Sequence, residues 1–270
     1  MKLIIILALA FTALAGHSKP QIKIYYEKIN DEYRVYADND EFCHVSIKID
    51  FELDNMKVDG GNHKVYVVDP NSKRQQLTKI KISNKRLASK FTYNYWTNYG
   101  NHHKDDYEED YSYDLPFSTS SEYRVYQGYN GSFSHQNQNA LDLTMPIGTE
   151  IMAIREGIVT EVVEKNSKNC SREECKKYNN KIIINHPDGT FAEYTHIKQN
   201  GSLVEVGDEV SKGQQIGFSG NVGWSSGPHL HLVVFKQKLF ARETLETKFR
   251  TGDGTQAEYL TEKETYLRDY

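Results

Sequence analysis

Little in this chain of 270 residues recurs with a helical period. Between about residues 20 and 120 the apolar positions alternate instead, which argues against helices and predicts strands. A long basic tract is also missing, and the formal net charge is −4; nothing points to nucleic acid as a partner. No apolar run is long enough for a typical membrane span. The nearest, Leu3 to Ala15, follows Met1-Lys2 and ends in Ala13-Leu14-Ala15, the build of a secretory signal with an A-x-A cleavage site. Residues 1–15 are therefore expected to be a signal peptide. The mature chain is expected to be exported, periplasmic or secreted, with no membrane span. The residue directly after the cleavage site is Gly16, not a cysteine, which argues against a lipoprotein.

Cysteine is scarce, and the three present cannot all pair within one chain. Cys170 and Cys175 are close neighbours in a polar loop, so a small disulfide loop is expected in an oxidising compartment. Cys43 opens a strict alternation through Val45, Ile47, Ile49, Phe51 and Leu53, which places it in a core as a small apolar residue.

Aromatic residues are plentiful, with 19 tyrosines, as suits a sheet-rich protein. The fold class expected is mainly β. An N-terminal β-sandwich-like domain, 20–120, has candidate strands at Cys43 to Leu53, Lys64 to Val68, Leu77 to Ile82, Phe91 to Trp96 and Tyr111 to Leu115. Turn-rich pieces such as Asp59-Gly60-Gly61-Asn62 separate them. Nothing in this domain looks catalytic, and His102-His103 beside the acidic run Asp105 to Asp110 reads as a solvated loop. The domain is expected to position or shield the second.

From residue 121 to 270 the texture changes to short strands joined by glycine turns. Asp188-Gly189 is a strong hairpin signal, and on its outgoing strand Ala192, Tyr194 and His196 are expected to share a face. In Pro228-His229-Leu230-His231-Leu232, the i, i+2 spacing puts both imidazoles on one strand face, with Leu230 and Leu232 on the other.

The order Ser134-His135, Ala140-Leu141-Asp142, Met145-Pro146-Ile147-Gly148-Thr149, Asp188-Gly189-Thr190 with Tyr194 and His196, Gly207-Asp208-Glu209-Val210 to Gly217, Ser219-Gly220-Asn221 and Pro228-His229-Leu230-His231 resembles the lysostaphin/LytM-type zinc metalloendopeptidases. The similarity runs from about Tyr123 to Phe235. It implies an antiparallel β peptidase domain with a narrow groove, one Zn2+ per chain and hydrolysis of peptidoglycan cross-links or stem peptides. Position by position, it implies His135, Asp142 and His231 as metal ligands and His196 and His229 as catalytic histidines. The commonest family pattern has its first histidine four residues before the aspartate. Gln138 holds that place here, so the ligand role passes to His135 in a longer loop.

Two imidazoles and a carboxylate are a sound catalytic zinc set, because three protein ligands leave one tetrahedral position for water. Tyr126 and Tyr129 are candidates for an oxyanion donor or for packing, Asn221 and Trp224 for the groove wall. His186 reads as a turn residue, and the Gly207 to Gly217 run as scaffold. Two alternatives stand beside the endopeptidase. One is a non-catalytic regulator that activates a cell-wall amidase, the other a secreted protease for glycine-rich proteins.

Overall fold

The computed structural model describes residues 20–270, so the expected signal at 1–15 lies outside the described residues. The chain divides into two compact units, with the boundary between His103 and Lys104. Among the described residues the one helical element is a short 3-10 turn, Glu173–Tyr178. None is a helix long and apolar enough to cross a membrane.

The first unit has two antiparallel sheets. One runs in the order Ile22–Ile29, Glu32–Asn39, Gln75–Ile82, Met56–Val58, the other Val65–Val68, Val45–Asp54, Lys90–Tyr99. The alternation that begins at Cys43 is realised: Val45, Ile47, Ile49 and Phe51 are buried and share one core with Val35 and Ile80. Cys43 is a buried free thiol whose pKa burial pushes up to about 12, so it packs as an apolar group.

Residues 104–120, grouped above with the first domain, pack instead in the second unit. Tyr113, Leu115 and Phe117 belong to its core. The candidate strand from Tyr111 to Leu115 shrinks to Ser112–Tyr113, which pairs in parallel with Lys248–Thr251. A pairing across that much chain leaves no local signature, which is why texture alone misplaces the boundary.

The second unit is built on a nine-stranded sheet. Its order is Glu209–Val210, Gly157–Val163, Lys181–Asn185, Phe191–Thr195, Leu230–Lys238, Ala140–Leu143, Ser121–Gln127, Thr265–Arg268, with Ala241–Leu245 also pairing with Leu230–Lys238. The pairings in this sheet are antiparallel. Leu141, Tyr194, Leu230 and Leu232 fill the core below. Register sets the other face: Asp142 stands opposite His231, and His231 opposite Thr195. Since residues opposite each other present side chains to the same side of a sheet, pairing alone brings a carboxylate and an imidazole together from positions 89 apart.

Candidate metal centre

His135, Asp142 and His231 converge. His135 Nε2 lies 3.3 Å from Asp142 Oδ1 and 3.2 Å from His231 Nδ1, and His231 Nδ1 is 2.8 Å from Asp142 Oδ1. Among the described residues these three form the one cluster whose ligand atoms all lie within 4.8 Å of one another. Ligand bonds of about 2.0–2.1 Å to a tetrahedral ion would separate the ligand atoms by about 3.3 Å, which two of the three edges match.

The protonation pattern calls for a cation. The His135 ring is fully buried, and its Nδ1 lies 3.0 Å from the Gly128 carbonyl. A carbonyl only accepts, so Nδ1 carries the proton. A neutral His135 therefore turns a lone pair, not a proton, toward the carboxylate 3.3 Å away. Burial works against ionising Asp142, but the imidazoles gathered around it outweigh that, and the hydrogen bond from His231 helps hold the carboxyl well below the usual range. A buried lone pair facing a carboxylate, His135 Nε2 against Asp142 Oδ1, is favourable only with a positive charge between them.

His135 reaches this place through a tight turn, with its N–H donating to Gly131 O at 3.2 Å and its carbonyl accepting from Gln138 N at 2.9 Å. Gln138 borders the same groove without joining the three ligand atoms.

His196 and His229 flank the cluster. Their ring centroids are 4.5 Å apart, and His229 Nε2 is 3.7 Å from Asp142 Oδ1. Each anchors Nδ1–H to a backbone carbonyl, His196 to Val222 at 2.7 Å and His229 to Gly227 at 2.8 Å. Their Nε2 atoms are thereby left bare in the neutral form. Burial, then the neighbouring His229 and His231 charges, pushes His196 down to about 3. Burial also lowers His229. Both are neutral at pH 7 and able to accept a proton.

The expected shared face of Ala192, Tyr194 and His196 does not hold. Ala192 and Tyr194 point into the core, and regular alternation would put His196 on the opposite side from Thr195 as well. His196 instead leaves the strand with φ of 70°, a left-handed conformation that redirects its ring into the groove with His229. Gly220 makes room for this. A Cβ there would sit 2.7 Å from the His196 carbonyl oxygen and 2.6 Å from Lys198 N, and Gly220 bridges directly to His229.

Of the two tyrosines, Tyr126 is exposed and lines the groove. Tyr129 is committed elsewhere: its hydroxyl meets the Thr247 carbonyl at 3.0 Å, and burial pushes it up to about 12. Asn221 Oδ1 accepts from Ser225 Oγ at 2.6 Å. Trp224 lines the groove and donates Nε1–H to Ser171 O at 3.2 Å. His186 is buried at its turn, with Nδ1 2.9 Å from Thr190 Oγ1, away from the cluster. Cys170 and Cys175 form a disulfide. Motif reading gave no role to Gly220, Ser225 or Lys176. The Ser219-Gly220-Asn221 triplet was the available signal for Gly220, whereas Ser225 and Lys176 are placed by tertiary contacts.

Residues 136–241 match the model of peptidase family M23. The chain is 28% identical over 245 residues to an uncharacterized metalloprotease of Buchnera aphidicola subsp. Baizongia pistaciae, covering 85% of this chain and 60% of that protein. It is 37% identical over 93 residues to the peptidoglycan DD-endopeptidase ShyA of Vibrio cholerae, covering 34% and 19%. Over 105 residues it is 34% identical to the glycyl-glycine endopeptidase ALE-1 of Staphylococcus capitis, covering 38% and 25%. The chain thus spans less than two thirds of the length of each of these relatives.

Proposed function

Since the chain belongs to peptidase family M23 through residues 136–241, we propose that it is a zinc-dependent endopeptidase that cuts peptide bonds in the cross-links or stem peptides of peptidoglycan. His135, Asp142 and His231 hold one Zn2+, and His196 and His229 are the catalytic histidines. The observation that carries the reading is the convergence of three ligand atoms, with the buried His135 turning a lone pair toward a carboxylate that is itself ionised.

Bound there, zinc supplies Lewis acidity toward a peptide carbonyl and acidifies a water molecule to a pKa of about 7. The chain's own residues do the rest. Neutral His196 and His229 present bare Nε2 atoms beside the cluster, so one takes the water's proton and the pair returns it to the leaving amine. Tyr126, exposed in the groove, offers a hydroxyl toward negative charge growing on the carbonyl oxygen. A non-catalytic amidase activator would have no use for a complete donor set, and all five positions are filled here.

The wider organisation supports export. The Cys170–Cys175 disulfide suits an oxidising compartment, periplasmic or extracellular, and residues 1–15 fit a signal peptide. The two sheets of the first unit form a β-sandwich-like domain, and residues 104–270 form the LytM-type peptidase domain. Digestion of purified peptidoglycan tests the proposal, with the released fragments read by mass. Cleaved cross-links, each gaining one water and lost on chelation, are expected. Intact peptidoglycan with zinc-loaded protein would contradict it.

A further inference from the structure

The groove beside the metal cluster is bordered by a loop that the disulfide closes. Cys175 is buried and bonded to Cys170, and the strand Asn169–Cys170 pairs in parallel with Gly223–Trp224. Three hydrogen bonds extend that seam: Ser225 N to Cys170 O at 3.1 Å, Trp224 N to Asn179 Oδ1 at 2.9 Å and Trp224 Nε1 to Ser171 O at 3.2 Å. The approach is so close that a Cβ on Gly223 would fall 2.0 Å from Asn179 Oδ1. The loop is therefore fixed to the segment that leads into His229 and His231.

Lys176 follows Cys175 directly and lines the groove with His229, His231 and Asp142. Its ammonium lies 5.0 Å from the centre of the Trp224 ring and 3.4 Å from Glu173 Oε1, a side chain 74% exposed. An ion pair that open to water is weak and easily exchanged for another carboxylate. Asp142 is taken up by the metal cluster. Among the described residues lining the groove, this leaves Lys176 as the one with a fixed charge. The remaining lining includes the exposed rings of Tyr126 and Phe133.

We infer that Lys176 is a specificity-determining residue that receives a carboxylate of the peptide substrate, held in reach of the scissile bond by the Cys170–Cys175 loop. The inference rests on the peptidase reading and deepens it. The preferred substrate is a peptide bearing a free carboxylate near the cut, and a neutral glycine-rich strand gives Lys176 nothing to bind. The cation is a flexible side chain on a rigid base, so it can leave Glu173 for the substrate without moving the loop.

The test compares two synthetic cross-linked peptides that differ in one group, a free carboxylate beside the scissile bond or its amide. Affinity is measured by calorimetry on zinc-loaded protein in a His229→Ala background, so that binding is read without turnover. Hydrolysis of both peptides by the otherwise unaltered protein is measured in parallel. With Lys176 present, the acid is expected to bind about tenfold tighter than the amide, as one partly exposed charge-assisted hydrogen bond would give. Lys176→Gln should bind both alike, and Lys176→Arg should restore the preference. The paired change Cys170→Ser and Cys175→Ser should erode the preference while leaving the amide's affinity in place. Equal affinities with Lys176 present, or a preference surviving in Lys176→Gln, would overturn the inference. Acid preference without hydrolysis of either peptide would sink the peptidase reading and leave this one standing.

Discussion

His196 shows how one residue can be legible in chemistry and illegible in placement. Its imidazole was marked by motif, yet strand alternation sends it the wrong way, and only a left-handed backbone at φ 70° brings it to His229. Such a conformation costs about 1–3 kcal/mol in a non-glycine residue and persists where neighbours over-determine it. Here they do, through the Val222 carbonyl on Nδ1 and the Asn180 carbonyl on the backbone N–H at 2.9 Å. Neither acceptor is a side chain, so neither leaves a trace in sequence. In the proposed mechanism His196 and His229 act beside the three metal-cluster residues rather than among them, so His196→Ala and His229→Ala should each keep the metal and lose about 10²- to 10⁴-fold in turnover. Metal analysis alongside initial rates checks this, and near-normal turnover in either variant would mark that histidine as a bystander.

At the level of elements, strands with one buried face were readable and the seams between them were not. Val45–Asp54 announces itself because Val45, Ile47, Ile49 and Phe51 alternate with polar residues. The hairpin of Ile22–Ile29 with Glu32–Asn39 does not, since tyrosines and charged residues occupy both of its faces. Gly220 is such a seam. It lies where the loop before the His-x-His strand crosses the backbone at His196 and Lys198, so it sets the spacing of His196 and His229, the histidines proposed as catalytic. Gly220→Ala would force that crossing apart. The expected result is a full metal complement, with turnover reduced at least tenfold and little change in KM. Unchanged turnover would show that the crossing can relax without moving either ring.

Over the whole molecule, acid sensitivity follows from imidazoles buried in neutral form. His186 is the clearest, since it stands apart from the metal cluster. Its Nδ1 donates to Thr190 Oγ1, whose own proton goes to Asp188 Oδ1 at 2.7 Å. Its Nε2 is buried with no acceptor, so a second proton would have nowhere to bond. Burial first, and then the Arg155 charge, pushes its pKa down to about 3. The unfolded chain takes up a proton near pH 6.5 that the folded chain refuses until about pH 3. Stability from this group is therefore complete above pH 6.5 and falls as pH drops through that window, by up to about 1.4 kcal/mol per pH unit. Urea unfolding at pH 7 and pH 4.5 should show the loss, and His186→Asn should lessen it. An equal slope in the variant would assign acid sensitivity to other groups.

The proposed ligand that sequence spacing made hardest to place is His135, seven residues before Asp142 rather than four, and its lone pair faces the carboxylate of Asp142. Zinc content per chain, measured after dialysis for the unaltered protein and for His135→Ala, reaches the central claim most directly. About one zinc per chain should be found in the first and close to none in the second, with both chains folded by circular dichroism. A full equivalent of zinc retained by His135→Ala would contradict the three-donor site on which the rest depends.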